Sequence, residues 1–416
     1  MSIIPQEGEE APLILSTADQ TQHFHPPLLP EPKLICKVLV ESKKLWFVAA
    51  PSIFSRLAMF SMTVVTQAFA GHLGDLNLAA ISIATTVIIS IAFGILSQLK
   101  TAVIAWVSGI TLAVHVLISW VFVYKLGVGI AGTAITLDFS WWLSVLGLFV
   151  YAVGGGCPLS WTGFSAQAFF DLWDFFKLSL ASGVMLFLEN FYYRILIIVA
   201  GYLHNTETAI DALSICISIF AWESMISLGF LAATGVRVAN ELGAGNANGA
   251  KFATIVSVIT SLAVGIFFWS IIMAFHEALT MIFTSSSSVI AMVNKFSTLL
   301  AFTILLNCIQ PVLSGAAVGS GWQGLVAFVN IGSYYLVGVP LGVFFGWLQF
   351  GITGIWGGMI CGTVVQTLIL AVITMKCNWE REAQKARSHI SNANSFLPIT
   401  SFCKCDRTSF CYNSPC

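Results

Sequence analysis

Two acidic residues lie in the middle of long apolar segments, where a carboxyl group is unusual. Glu189 lies in the run LFLENFYY at 186–193, and Glu223 lies in AWESM at 221–225. An ionisable group at the centre of a bilayer costs about 2.5–3.5 kcal/mol on insertion scales, so such residues usually serve a function. Burial disfavours the charged carboxylate, which lets the acid bind and release a proton near neutral pH. We predict that both residues are proton-coupling sites; the alternative is a protonated side chain that only hydrogen-bonds to a neighbouring helix.

Uncharged polar residues in the same segments are candidates for substrate binding. A proline within the apolar run LLNCIQPVLSG at 305–315 removes one backbone donor, so the freed carbonyl group needs another partner. Broken helices at membrane depth often border a binding site, although a kink that serves packing alone has the same sequence. We predict substrate contacts in this run and at two residues close to Glu189: Asn307, Gln310, Pro311, Asn190 and Tyr193.

The motifs give little support to other chemistries. The sequence has no GxxxxGK[ST] motif for binding the phosphates of ATP. Four cysteines near the end, Cys403, Cys405, Cys411 and Cys416, are irregularly spaced, so we expect no metal site. We find no Ser/His pair, paired Asp or HxxxH motif at membrane depth, which argues against an intramembrane enzyme. A net charge of -1 provides no basic surface for nucleic acid. We therefore expect no cofactor, with a proton gradient as the energy source.

The elements that must hold these residues are transmembrane helices. Of the 416 residues, 57% are apolar and 9% are charged, whereas ordinary globular domains are about 45–50% apolar and about 25% charged. Windows of about 20 apolar residues recur along the chain, and they are too long for the strands of a membrane barrel. The sequence therefore predicts an all-α polytopic membrane protein that is embedded in a lipid bilayer.

The apolar windows predict about ten transmembrane helices. They are placed at 46–69, 76–96, 101–123, 130–153, 177–201, 209–234, 252–275, 289–310, 325–348 and 353–375. Lys and Arg residues precede the first span and follow the last, so the positive-inside rule places both termini in the cytoplasm. The predicted order is a disordered cytoplasmic tail (1–44), a first lobe of about four helices (45–155), an interlobe loop (156–176), a second lobe of six helices (177–376) and a cytoplasmic tail with cysteines (377–416).

An internal repeat indicates that the first lobe is shortened. AGHL at 70–73 resembles AGYL at 200–203, an offset of 130 residues, whereas GIAG at 129–132 resembles GITG at 351–354, an offset of 222. Two homologous halves should keep one offset, so the first half lacks about 90 residues, the length of two helices with their loops. Duplicated halves around a central cavity are typical of alternating-access transporters. A membrane protein with duplicated helices and no transport activity is the alternative.

Three motifs carry a family resemblance. QAFAGHLG at 67–74, VRVANELGAGN at 236–246 and QPVLSG at 310–315, with GWQ at 321–323, resemble the plant branch of the multidrug and toxic compound extrusion (MATE) family, also called detoxification proteins. The resemblance covers residues 35–385 and implies two six-helix lobes that form a V, of which this chain lacks the third and fourth helices. By position, it places Glu189 at the family's acidic proton site in the seventh helix. Asn307 departs from the pattern, because some members have Asp at that position.

The resemblance implies a proton-coupled antiporter that exports or sequesters organic solutes by alternating access. Its substrates would be xenobiotics and flavonoid-type metabolites, and its location the vacuolar membrane, with the plasma membrane as the alternative. A second hypothesis starts from the missing helices: a transport-inactive splice isoform that is misassembled or modulates its full-length relative. The expected partners are small organic solutes, protons and lipid, and the oligomeric state is left open.

Overall fold

Every regular element that the structure describes is a helix. The computed structural model describes residues 34–71, 101–156 and 207–396, together with eight single positions between 157 and 206: Gly163, Trp173, Leu180, Gly183, Leu188, Phe191, Tyr192 and Ile195. The helices are α1 (Leu34–Gly71), α2 (Thr101–Trp120), α3 (Ile130–Tyr151), α4 (Glu207–Gly243), α5 (Ala247–Met281), α6 (Ser287–Gly319), α7 (Gln323–Ile331), α8 (Val339–Phe345), α9 (Gly351–Lys376) and α10 (Trp379–Phe396). Short π-helical segments extend α2 and α3, and another, Gly332–Gly338, joins α7 to α8.

Eight stretches in the described residues are long and apolar enough to cross a membrane. They match eight of the ten predicted spans, and they confirm the prediction of an all-α polytopic protein. The predicted span 76–96 and most of 177–201 lie outside the described residues.

Both predicted tails include helical residues. The first helix begins at Leu34, so the last part of the predicted 1–44 tail belongs to α1. At the other end, α10 occupies Trp379–Phe396 within the predicted 377–416 tail. Hydropathy averages miss α10 because it is amphipathic, and its apolar residues Trp379 and Ala383 pack against Val238 of α4.

Helix α1 packs against helices of both the first and the second lobe. Its residues Leu45 and Ala49 share a buried cluster with Phe230 of α4 and with one residue of α6. Farther along the same helix, Met59 and Met62 pack in a cluster with α3. The first helix therefore contacts the second lobe with one part of its length and the first lobe with another.

A buried ion cluster fixes the beginning of α1 to the end of α4. The guanidinium of Arg237 on α4 lies 2.7 Å from Glu41 of α1 and 2.6 Å from Glu241, one turn farther along α4. Lys44 on α1 lies 3.5 Å from Glu41, but half of its side chain is exposed. We call Arg237, Glu41, Glu241 and Lys44 the α1–α4 ion cluster.

Helices α4 and α6 approach each other closely because glycines lie at their crossing. A Cβ atom at Gly315 would overlap the backbone oxygen of Leu231, and one at Gly319 would lie 2.5 Å from the backbone oxygen of Gly235. Only glycine allows the two backbones to come this close. This crossing brings the polar side chains of α4 and α6 within hydrogen-bond distance.

Candidate functional site

Glu223 of α4 lies at the centre of a buried hydrogen-bond cluster between α4 and α6. Its Oε1 accepts hydrogen bonds from the hydroxyl of Ser227 at 2.6 Å and from the thiol of Cys308 at 3.2 Å. Its Oε2 accepts a hydrogen bond from the Asn307 amide at 2.9 Å. All four side chains are buried. We call Glu223, Ser227, Asn307 and Cys308 the Glu223 cluster.

The donors of this cluster suit an ionised carboxylate, although none of them carries a charge. The Ser227 hydroxyl and the Asn307 amide each carry both donor and acceptor atoms, so either can also accept from a protonated Glu223. Within the described part of the chain, no lysine or arginine forms a hydrogen bond or ion pair with Glu223. A buried carboxylate without a cation is costly. Its charge is therefore most easily balanced by a proton or by a cationic ligand.

Helix α5 supports the α6 side of the cluster. The hydroxyl of Ser261 donates to the backbone oxygen of Cys308 at 2.6 Å, one residue beyond the carbonyl that Pro311 leaves without its helical donor. Gly265 of α5 lies against the Cys308 side chain, and a Cβ atom there would be 2.8 Å from that of Cys308. These contacts fix the orientation of Cys308 and its neighbour Asn307 toward α4.

The structure places the other predicted site residues in different surroundings. Gln310 is buried and donates to the hydroxyl of Ser314 on its own helix at 3.0 Å, and Pro311 lies within α6, which continues to Gly319. Glu189, Asn190 and Tyr193 lie outside the described residues. The two predicted residues that the structure brings into contact are therefore Glu223 and Asn307.

Two tyrosines link Leu188 and Tyr192, described residues close to Glu189 in the sequence, to the α7–α9 region. Tyr335, in the π-helical segment after α7, donates to the backbone oxygen of Leu188 at 2.8 Å. Tyr192 donates to the backbone oxygen of Met359 at 2.8 Å and stacks on Tyr334 with ring centroids 4.3 Å apart. These contacts hold Leu188 and Tyr192 against the α7–α9 region.

Two members of the Glu223 cluster were not expected from the sequence. Ser227 follows Glu223 by four residues, the spacing that places side chains on one helical face, so this signal was present. Cys308 gives no such signal, because its contact with Glu223 depends on the glycine-lined crossing of α4 and α6.

Comparison with known proteins assigns the chain to a family. The MatE family model matches residues 181–344. Protein DETOXIFICATION 27 of Arabidopsis thaliana is 47% identical over 447 aligned residues, which include 85% of this chain and 92% of the relative. Protein DETOXIFICATION 26 of the same plant is 43% identical, with 85% and 91% covered.

The length of the first alignment agrees with the predicted internal loss. The alignment spans 447 positions but includes 85% of 416 residues, about 354, so about 93 positions of the relative have no counterpart here. The internal repeat predicts a loss of about 90 residues. The two estimates agree in size.

The fold comparison leads to the same family. The crystal structure of the eukaryotic MATE transporter AtDTX14 superposes with a TM-score of 0.79 at 25% identity, over 85% of this chain and 99% of that one. The MATE transporter VcmN of Vibrio cholerae in its bent form shares the fold, with a TM-score of 0.68 at 15% identity over 84% and 99% of the two chains. The relatives that are 43–47% identical over most of their length show that this chain belongs to the MATE family of transporters, among the plant DETOXIFICATION proteins.

Proposed function

We propose that this membrane transporter exports organic solutes in exchange for protons and that Glu223 is one of its proton-binding groups. The observation that carries the proposal is the Glu223 cluster, in which a buried carboxyl group has three uncharged donors and, among the described residues, no lysine or arginine partner. A charge in these surroundings is costly unless a proton or a cationic solute balances it.

The proposed cycle follows from the two protonation states of Glu223. As a carboxylate, it accepts from Ser227, Asn307 and Cys308. When it binds a proton, the O–H group donates to Ser227 or Asn307, whose hydroxyl or amide turns to accept. A proton and a cationic solute therefore compete to neutralise one group, and this competition couples the two fluxes. Alternating access between the lobes would expose the group to each side in turn.

We also propose the substrate class, a further acidic site and the membrane in which the protein resides. The MATE family makes drug-like organic cations suitable first probes, and flavonoid-type metabolites a second class. Glu189 is proposed as a further proton site, because the resemblance places it at the acidic position of the seventh helix. The vacuolar membrane is the proposed location, with both termini in the cytoplasm.

Uptake into liposomes tests the proposal. The purified chain is reconstituted, a pH gradient is imposed, and accumulation of the fluorescent cation ethidium is measured with and without an uncoupler. We expect accumulation that the uncoupler abolishes. Glu223→Gln should reduce it to the level of protein-free liposomes, whereas Glu277→Gln, at an exposed position of α5, should retain it. Gradient-driven accumulation by Glu223→Gln equal to that of the unaltered chain would overturn the role of Glu223.

The internal loss favours a second candidate function. About 93 aligned positions are missing relative to DETOXIFICATION 27, and a lobe that lacks two helices would leave polar surface toward the lipid and an incomplete cavity wall. A chain that cannot transport would instead modulate a full-length relative. Co-expression that lowers the relative's transport, while this chain alone moves nothing, would support this second function.

A further inference from the structure

His115 of α2 is a fully buried titratable group in the first lobe, far in sequence from the Glu223 cluster. Its relative exposure is 0%. Its Nδ1 lies 2.9 Å from the hydroxyl of Ser140 and 3.4 Å from the backbone oxygen of Thr136, both on α3. Its Nε2 lies 3.1 Å from the hydroxyl of Thr66 and 3.1 Å from the backbone oxygen of Met62, both on α1. The imidazole therefore connects the three helices of the described first lobe.

Each ring nitrogen faces one hydroxyl and one carbonyl oxygen, and this arrangement serves both protonation states. A hydroxyl can donate or accept, whereas a carbonyl oxygen only accepts. In a neutral ring, the nitrogen that carries no hydrogen has a lone pair. This lone pair can accept a hydrogen bond from the neighbouring hydroxyl, but the carbonyl oxygen beside the same nitrogen then receives no hydrogen bond from it. In a protonated ring, both N–H groups can donate to the carbonyl oxygens of Met62 and Thr136. The surroundings thus provide partners for a neutral and for a charged imidazole.

No charged side chain competes for the ring in the described helices that pack around it. Helix α2 contains no charged residue between 101 and 120. On α1, the charged residue nearest to Met62 is Arg56, six residues earlier and about 9 Å along the helix axis. On α3, the charged residue is Asp138, which is exposed and lies two positions from Ser140, so it faces the opposite side of the helix. Among the described residues, the groups in contact with the ring are therefore uncharged hydroxyl and carbonyl groups.

Rows of buried hydroxyl groups lead away from the ring along both helices. The row on α2 is Ser108, Thr111 and Ser119, and the row on α3 is Thr133, Thr136, Ser140 and Ser144. The rows are joined by hydrogen bonds from Ser119 to Thr136 and from Ser144 to Thr111, each 3.2 Å long. Ser140 of the α3 row contacts Nδ1, whereas the hydroxyl at Nε2 is that of Thr66 on α1, outside both rows. The polar contact between α2 and α3 thus extends on both sides of His115.

We propose that His115 is a further proton-binding site, located in the first lobe, with the Thr66 hydroxyl and the Met62 oxygen beside the nitrogen that takes up the proton. An incoming proton binds the lone pair of Nε2, the Thr66 hydroxyl turns away, and the new N–H donates to the oxygen of Met62. Release reverses these changes. The link between this site and solute transport rests on the proposed proton-coupled function, but the binding of a proton does not.

Nuclear magnetic resonance of the ring nitrogens tests proton binding directly. The full chain, with nitrogen-15 histidine, is placed in lipid nanodiscs and titrated from about pH 8 to about pH 5, the range in which histidine changes charge. His115→Gln identifies the signals of this ring among those of the seven histidines. We expect the two nitrogens to change from the neutral to the imidazolium pattern within this range. A ring that stays neutral down to about pH 5 would overturn the proposal.

Variants that keep the ring separate proton binding from general damage. Thr66→Val removes the hydroxyl that donates to a neutral Nε2 but leaves the Met62 oxygen in place, so the imidazolium fraction at a given pH should increase. Thr63→Val, which also replaces a buried hydroxyl of α1, should not change it. An equal effect of both variants, or none in Thr66→Val, would contradict the proposed geometry.

Transport measurements then test the coupling. If the unaltered chain accumulates ethidium, His115→Gln should change the pH dependence of the initial rate, and His276→Gln, on α5, should not. An unchanged pH profile in His115→Gln would overturn the coupling while leaving the proton-binding result intact. If the unaltered chain moves no solute, the proposed function fails, and the nuclear magnetic resonance titration still decides the site.

Discussion

Replacing Arg237 should destabilise the protein much more than replacing Lys44, although both cations lie beside Glu41. Arg237 contacts two carboxylates at 2.6 and 2.7 Å, and its side chain is 11% exposed. Lys44 contacts Glu41 alone at 3.5 Å, and its side chain is 51% exposed. The substitution to Met in each case removes the charge and keeps an unbranched apolar side chain.

The expected difference follows from burial. Arg237→Met leaves Glu41 and Glu241 as neighbouring carboxylates without their shared cation, and loss of one partner from a buried pair costs about 3–5 kcal/mol. Lys44→Met removes an exposed pair, which contributes about 0–1 kcal/mol. The free energy of unfolding should therefore fall by about 3 kcal/mol more in Arg237→Met than in Lys44→Met.

Unfolding in mixed micelles measures this difference. The purified variants are titrated with sodium dodecyl sulfate in a mild detergent, and helix content is followed by circular dichroism. Combining Arg237→Met with Glu41→Gln should recover part of the loss, because one of the two unpaired carboxylates is then neutral. Equal losses in Arg237→Met and Lys44→Met, or no recovery in the double variant, would refute the assignment of a buried ion cluster between α1 and α4.

Two further predictions concern packing and the end of α9. Gly315→Ala places a methyl group against the backbone oxygen of Leu231 and should cost about 1–3 kcal/mol, whereas Gly324→Ala, with open space around it, should be neutral or slightly stabilising in the same titration. Burial, assisted by Glu382, raises the pKa of the Cys377 thiol to about 11, so its maleimide labelling, measured by mass spectrometry of its peptide, should be slow at pH 7–8 and accelerate as the pH approaches the pKa. Fast labelling at pH 7 would contradict that shift.

Hydropathy predicted most of the membrane architecture because lipid imposes one rule on the whole backbone. Eight predicted spans appear as helices in the described residues. The same averaging missed Trp379–Phe396, whose apolar residues lie on one side of the helix. It also ended the first tail too late, since the polar beginning of α1 is stabilised by the pairing of Glu41 with a distant arginine.

The candidate site was predicted in part. Depth in the membrane singled out Glu223, and the proline-containing run led to Asn307, but the sequence assigned them different roles. Their hydrogen bond joins positions 84 residues apart, and it depends on how closely α4 and α6 cross. No local pattern encodes that distance, so neither this contact nor the participation of Cys308 could be predicted.

The glycine-lined crossing of α4 and α6 makes the acidic site a property of the second lobe alone. Glu223, its three donors and the supporting Ser261 all belong to α4, α5 and α6, so the loss of two helices that the internal repeat predicts for the first lobe removes none of them. Under the proposed function, a first lobe shortened in this way would keep the proton-binding group of the second lobe, and the change would fall on the part of the protein that encloses the solute.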